Sequence, residues 1–386
     1  MPPPAPPPAP FNVTVMRIAP EGTVMSVKPP PLWEQVTSSS SAGETLEHVG
    51  AALLGGARTK AAPTASDADA AIERSSTARR YPVDHADVGN LDTSQDYRAS
   101  VPTLAIDIGG TKTSAALIDE DSDDAFLKHT SWTSPPTAED GIEQILTTCT
   151  PWAQRAAKAG VSFGGQFDFP TQTCIRSMHV PGWEGVAISR RLGEHFGFPV
   201  ITDNDANVAA LGEYQAAPRD QRDPLLYVTV STGVGAAIIV DGTPLRGAHS
   251  LAGELGHLPI SHDKTCNCGQ QGCLERAVSG YWIERDHGQL AEYYLQDPQH
   301  HAAWIADLAQ GIWSATVLLD PALIVVGGGM SAQGDRLAEP LRAELTRKAE
   351  QSHRTAPALE LGDPSGRTVL LGAASMTREV ARGSRG

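Results

Sequence analysis

From Val101 onward, short apolar runs alternate with glycine turns and amphipathic stretches, a pattern that predicts an α/β fold. Two stretches predict the same order of elements. LAIDIGGTKTSAALID (104–119) and LYVTVSTGVGAAIIVD (226–241) align without a gap, 122 residues apart. Each reads as an apolar strand, a Gly/Thr turn, a second apolar strand and a closing Asp. That separation is too long for a solenoid repeat and predicts a duplicated domain. Between them, PVITDNDANVAALGEY (199–214) reads as a strand that ends in Thr202 to Asp205 and passes into an Ala-rich helix. Further on, IVVGGGMS (324–331) reads as a strand closing in a third glycine turn.

Residues 1 to about 100 have a different texture, with runs such as PPPAPPPAP and TSSSSAG. Such composition cannot bury enough apolar surface to offset ordering entropy, so a largely disordered extension is expected. GETLEHVGAALLGGA (43–57) has the spacing of one short helix. With 8 Lys+Arg against 11 Asp+Glu, the first hundred residues are not a basic DNA-reading module. They read as a dispensable tail or as an upstream start, with Met16 and Met25 as further candidates.

The chain of 386 residues is 40% hydrophobic, enough for two domain cores, and its net charge of -15 argues against a nucleic-acid surface. MPPPAPPPAPFN lacks the basic and apolar regions of a secretory signal, and no run of about 18 apolar residues predicts a membrane span. A reducing, cytoplasmic compartment is the expectation.

The glycine turns are the first candidate chemistry. DIGGTKT (107–113) offers Gly109, Gly110, Thr111 and Lys112; STGVG (231–235) offers Thr232, Gly233 and Gly235. Backbone N–H groups at two equivalent turns can close on a phosphate chain from opposite sides. Asp107 beside phosphates implies Mg²⁺ between them. Gly328 and Gly329 of the third turn permit close approach to a flat ligand such as adenine or ribose. Asp205 stands at the strand end where open α/β sheets bind ligands, placed to accept a hydroxyl proton or simply to cap the helix.

CNCGQQGCLE (266–275) crowds three of the five cysteines together. A disulfide, a redox switch and a metal are the physical options, and a reducing compartment favours the metal. Cys266, Cys268 and Cys273 supply three thiolates to a tetrahedral structural Zn²⁺, and AGELGHLPISHDKT (252–265) offers His257 or His262 as the fourth ligand.

Together these residues resemble the ROK family (repressors, open reading frames and kinases) within the actin-like ATPase (ribonuclease H-like) superfamily. DIGGTKT and STGVG resemble its two phosphate motifs, GGGMS its adenosine motif, NDAN (204–207) its sugar and catalytic motif, and GELGH (253–257) with CNCGQQGCLE its zinc signature. The resemblance implies a two-lobed fold. One lobe spans 101–218, completed by a C-terminal helix over 370–386; the other spans 219–369 and carries the zinc loop. It implies an ATP-dependent hexose kinase with Mg²⁺ and one structural Zn²⁺. His257 would be the fourth zinc ligand, facing the sugar as well, and His262 would not be a ligand. Glu254 and Glu275 would hold sugar hydroxyls near C1 and C2, Asn204 those near C3 and C4, and Asp205 would be the base for the C6 hydroxyl. An ordinary Asp pKa would serve.

Glucose is the leading acceptor; N-acetylmannosamine, an amino sugar such as kanosamine, or a C7 cyclitol are the others. A homodimer or homotetramer is expected, with no nucleic-acid or membrane partner. The reading from a different class is a sugar-sensing ROK repressor, which would carry a basic N-terminal DNA-binding module. A non-catalytic sugar or metal-storage protein would leave the phosphate turns unexplained. Two departures from the family pattern bear on substrate choice. GGQFD (164–168) lacks the usual proline, and His179 stands where sugar kinases often have Asn.

Overall fold

The computed structural model describes residues 15–18, 24–27, 101–122, 125–177, 182–260 and 262–383. Backbone contacts divide the chain into Met1–Asp92 and Thr93–Gly386. In the first unit, β1 (Val15–Ile18) and β2 (Val24–Val27) pair antiparallel. The remainder of the expected extension, its helix over 43–57, and His179 lie outside the described residues.

The second unit repeats one plan. β3 (Thr103–Ile108) and β4 (Lys112–Ile118) form an antiparallel hairpin, and β5 (Phe126–Thr133) pairs with β4. After α1 (Ala138–Ala153), β6 (Lys158–Phe163) returns parallel to β3. A small hairpin, β7 (Gln166–Asp168) and β8 (Thr173–Arg176), leads to α2 (Ile188–Phe196). β9 (Val200–Asn204) then lies parallel to β6 and runs directly into α3 (Asp205–Ala216). The sheet order is β5-β4-β3-β6-β9. Leu104, Ala105 and Ile106 are fully buried, which is why this central strand is apolar on both faces rather than alternating.

β10 (Leu225–Val230) and β11 (Val234–Val240) form the second hairpin, extended by β12 (Thr243–Pro244). Their bounds are those of β3 and β4 moved by the 122 residues of the sequence alignment, so the duplication is structural. The helices α4 (Leu274–Val278), α5 (Gly280–His287), α6 (Ala291–Tyr294) and α7 (Pro298–Leu319) precede β13 (Leu323–Gly327), which pairs parallel to β10. α8 (Asp335–Gln351), β14 (Ala358–Leu361) and α9 (Arg367–Gly383) complete the chain, giving the order β12-β11-β10-β13-β14.

One core joins both sheets: Ala105 and Ile118 of the first, Leu225 and Ile239 of the second, Val208 and Leu211 of α3, Leu370 and Met376 of α9. The two helices touch backbone to backbone. A Cβ on Gly372 would stand 2.0 Å from Val208 O, and one on Gly160 of β6 would meet Ala373 O at 1.7 Å. The last helix therefore packs against the first half of the unit. α7 is long and apolar enough to cross a membrane, yet Trp304, Leu308 and Ile312 of it lie in the core of the second half.

Candidate active site

The shared register puts both glycine turns at the same end of their hairpins. In the first, Gly109 N–H donates to Lys112 O at 3.1 Å. Ser134 fastens the turn from β5's end, its hydroxyl donating to Gly109 O at 2.6 Å and its N–H to Thr111 O at 3.0 Å. Thr111 and Lys112 at the tip remain exposed. In the second turn, Ser231 N–H donates to Gly233 O at 2.9 Å. The third turn lies beside it: a Cβ on Gly329 would be 3.3 Å from Ser231 Oγ, and one on Gly328 2.6 Å from Val230 O.

Asp107 near the end of β3 accepts the Ser162 hydroxyl at 2.7 Å, because the β3–β6 register places those two residues side by side. Burial pushes its carboxyl upward, against the Ser162 bond and the Lys112 charge. Gly164 bridges the first turn to the head of α3: a Cβ there would lie 3.6 Å from Gly109 Cα and 3.7 Å from Asp205 Oδ2.

At that head, Asn204 is the N-cap, its Oδ1 accepting Ala206 N–H at 3.0 Å, while Asp205 Oδ1 accepts the same N–H at 2.9 Å. Asn204 Nδ2 donates to Gly165 O at 2.9 Å and to Asp205 Oδ1 at 3.1 Å. The cap therefore does not depend on Asp205. Desolvation, then the Asp107 charge, pushes the Asp205 carboxyl up to about 7. Its side chain is open to solvent in the cleft, which tempers the first effect and leaves the direction intact. The elevation, where an ordinary Asp pKa would serve, comes first from burial at the head of α3 and then from the Asp107 carboxylate on β3.

Asp205 and Asn204 line a cavity of about 130 Å³ together with Gln166, Asn207, Ser250 and Glu254. Asp203, only 2% exposed, accepts from Arg246 Nε at 2.8 Å, Asn204 N–H at 2.7 Å and Asn207 Nδ2 at 3.1 Å. The Arg246 guanidinium also lies 3.6 Å from the centre of the Phe169 ring, and Phe169 N–H donates to Ser250 Oγ at 3.2 Å. The two halves are thus tied at the cavity rim.

The ligand atoms of His257, Cys266, Cys268 and Cys273 all lie within 4.8 Å of one another. A short ladder, Pro259 opposite Cys273 and Thr265 opposite Gln271, folds the loop so that its thiols converge. His257 turns Nδ1 toward Cys266 Sγ (4.0 Å) and Nε2 toward Glu254 Oε2 (3.9 Å). His262 is outside the cluster, with Nε2 near Cys273 O at 3.1 Å and Nδ1 accepting Lys264 N–H at 3.2 Å.

The sequence-predicted residues thus fall into adjoining groups: Asn204, Asp205 and Glu254 in the cavity wall, Asp107 with the first turn, and the four-residue cluster behind Glu254. Glu275 joins the second turn, where its Oε2 accepts Val234 N–H at 3.0 Å. Sequence reasoning missed Ser162, Arg246, Gln166 and Ser250. Ser162 carries no signal inside an apolar strand. Gln166 was legible only as a missing proline.

Residues 103–380, well over half of the chain, match the ROK family profile. The chain belongs to the ROK family. An N-acetylmannosamine kinase of Salmonella typhi is 31% identical over 297 residues, 72% of this chain and 98% of that protein. A ROK hexokinase structure from Thermus thermophilus is 28% identical with a TM-score of 0.64, covering 73% of this chain and 99% of the other. A ROK glucokinase from Streptomyces griseus, solved with glucose and AMPPNP, is 26% identical with a TM-score of 0.61, covering 72% of this chain and 99% of the other. All the motifs quoted from DIGGTKT onward lie inside the ROK match.

Proposed function

We propose that this ROK protein is an ATP-dependent hexose kinase that phosphorylates the C6 hydroxyl of its sugar, with glucose as the leading acceptor. The observation that carries the reading is Asp205. Its carboxylate faces a polar cavity, beside the first glycine turn, with the proton affinity of a group able to take a hydroxyl proton near neutral pH. The sugar oxygen attacks the γ-phosphorus, the bond from that phosphorus to the bridging oxygen of ADP breaks, and the hydroxyl proton passes to Asp205. Asn204 and Glu254 hold ring hydroxyls, and the two glycine turns hold phosphate oxygens through backbone N–H groups. Asp107, near the end of β3 beside the first glycine turn, would hold Mg²⁺ bound with ATP, and the cation would neutralise phosphate charge.

His257, Cys266, Cys268 and Cys273 hold one structural zinc. Tetrahedral Zn–S bonds of ~2.3 Å put ligand atoms about 3.8 Å apart. The separations of 3.5 Å between Cys268 and Cys273 Sγ and 4.0 Å between Cys266 Sγ and His257 Nδ1 fit that geometry. Fixing His257 orients Glu254, which lines the cavity. The similarity to an N-acetylmannosamine kinase, with the Gln166 amide in the cavity lining, supports that sugar as a second acceptor.

The test is a phosphorylation screen of glucose, N-acetylmannosamine, amino sugars and cyclitols with Mg-ATP. Glucose 6-phosphate as the main product is the expected result. No sugar-dependent ADP release with any acceptor would overturn the kinase reading.

A further inference from the structure

The second and third glycine turns share a border with the start of α5. Gly280 N–H donates to Ser231 O at 2.8 Å and Tyr281 N–H to Thr232 O at 3.1 Å, which fastens the first residues of that helix to the second turn. A Cβ on Gly280 would lie 3.7 Å from Met330 Cε of the third turn, and Gly329 of that turn adjoins Ser231. Residues 231–235, 279–281 and 328–331 therefore adjoin one another, and Tyr281 carries the one aromatic ring among them. That ring is 43% exposed. Its neighbour Trp282 is buried and meets it edge to face, with 5.1 Å between ring centres. The guanidinium groups of Arg276 and Arg285 lie 4.0 and 4.6 Å from the Trp282 ring centre and hold that indole in place. Tyr281 is thus an exposed ring on a rigid support, tied by its own backbone to the second turn.

We infer that Tyr281 is the stacking platform for the nucleobase of the phosphoryl donor. This rests on the reading of the β10–β11 turn as a phosphate site, and deepens it by naming the class of donor. A triphosphate held at the two hairpin turns leaves its base to the surface beyond them, where the third turn admits a flat group and Tyr281 supplies a π face. The donor is then a nucleoside triphosphate, held by its base as well as its phosphates, in preference to a bare polyphosphate. Stacking uses the ring and not the hydroxyl, so Phe or Trp in the same place serves nearly as well.

The experiment measures binding without turnover. Calorimetry on the full chain, with Mg²⁺ and no sugar, gives Kd for a non-hydrolysable ATP analogue and, separately, for inorganic tripolyphosphate. Wild-type protein is expected to bind the analogue more tightly than tripolyphosphate. Tyr281→Ala is expected to weaken the analogue about tenfold, the loss of one stacked base. Its tripolyphosphate Kd stays unchanged, because the Tyr281 N–H bond to the turn needs no side chain. Tyr281→Phe and Tyr281→Trp keep the affinity of the parent for both probes.

An unaltered analogue Kd in Tyr281→Ala would overturn the inference. So would an equal loss for both probes, which would make Tyr281 a support of the turn, or a loss in Tyr281→Phe as large as in Tyr281→Ala. Wild-type protein that binds tripolyphosphate as tightly as the analogue would overturn the inference and leave the phosphate reading standing. Binding of neither probe would remove both. Should Tyr281→Ala not fold, Tyr281→Leu carries the test, since it keeps apolar area without a π face: weakened analogue with unchanged tripolyphosphate is expected, and unchanged analogue overturns it.

Discussion

Arg246 donates Nε–H to Asp203 Oδ2 at 2.8 Å, tying the segment after β12 to the strand end that delivers Asn204 and Asp205. Both partners are well buried, at 14% and 2% side-chain exposure. Removing one partner of a buried pair typically costs about 3–5 kcal/mol, since the other charge is left without compensation. Arg246→Met is therefore expected to lower stability by roughly 3 kcal/mol, read as a reduced urea midpoint. It should also raise the KM for sugar, because Asp203 organises the Asn204 N–H and the Asn207 amide. Arg246→Lys should recover only part of this, lacking the planar group that stacks on Phe169. Full stability in Arg246→Met would show that the pair is dispensable.

Asp205→Asn separates catalysis from capping. Asn204 already supplies the N-cap, so the helix should persist in the variant. Loss of a general base typically lowers rate about 10²–10⁴-fold. The fall is expected in kcat, with the sugar KM changing much less. Retention of more than about a tenth of parental kcat would exclude the base role.

The raised Asp205 pKa sets a pH dependence with a definite sign. Protonated Asp205 cannot accept the hydroxyl proton, so kcat/KM should rise with pH and level off above about 7. Removing the neighbouring charge with Asp107→Asn should move the binding-linked midpoint downward, readable from NMR titration of Asp205 even where activity is lost. Stability runs the other way. The folded value lies above the ordinary 3.8, so ionisation costs stability as pH rises from about 4 to about 7, and Asp205→Asn should flatten that slope. A pH-independent rate between 5 and 8, at about the same level throughout, would contradict the assignment.

Purified protein should contain about one zinc per chain by elemental emission, as a closed four-ligand site requires. Cys268→Ser is expected to lose it, lower the melting temperature and weaken sugar binding, because His257 then no longer orients Glu254. Undiminished stability and sugar affinity in verified zinc-free protein would remove the structural role.

Much of the site was legible because its determinants are local. A glycine turn between apolar strands specifies a hairpin by backbone hydrogen bonds within about ten residues, and two such hairpins recur 122 residues apart with matching bounds. Cys266, Cys268 and Cys273 converge because one short loop carries them all. Asn204 as cap and Asp205 at the strand end follow from the passage of β9 into α3.

Tertiary structure alone decided which distant side chains meet. Ser162 reaches Asp107 because β6 pairs parallel to β3 in one register; shifting that register by one residue would turn Ser162 to the opposite face. The pKa of Asp205, raised first by burial, is pushed further by Asp107, which lies on β3 and 98 residues earlier in the chain. Arg246 meets Asp203, and Glu275 meets Val234, across separations of 43 and 41 residues. Such contacts have no periodicity to betray them: side-chain bonds depend on how packed elements are placed in space, which hydrophobic patterning constrains only as a whole.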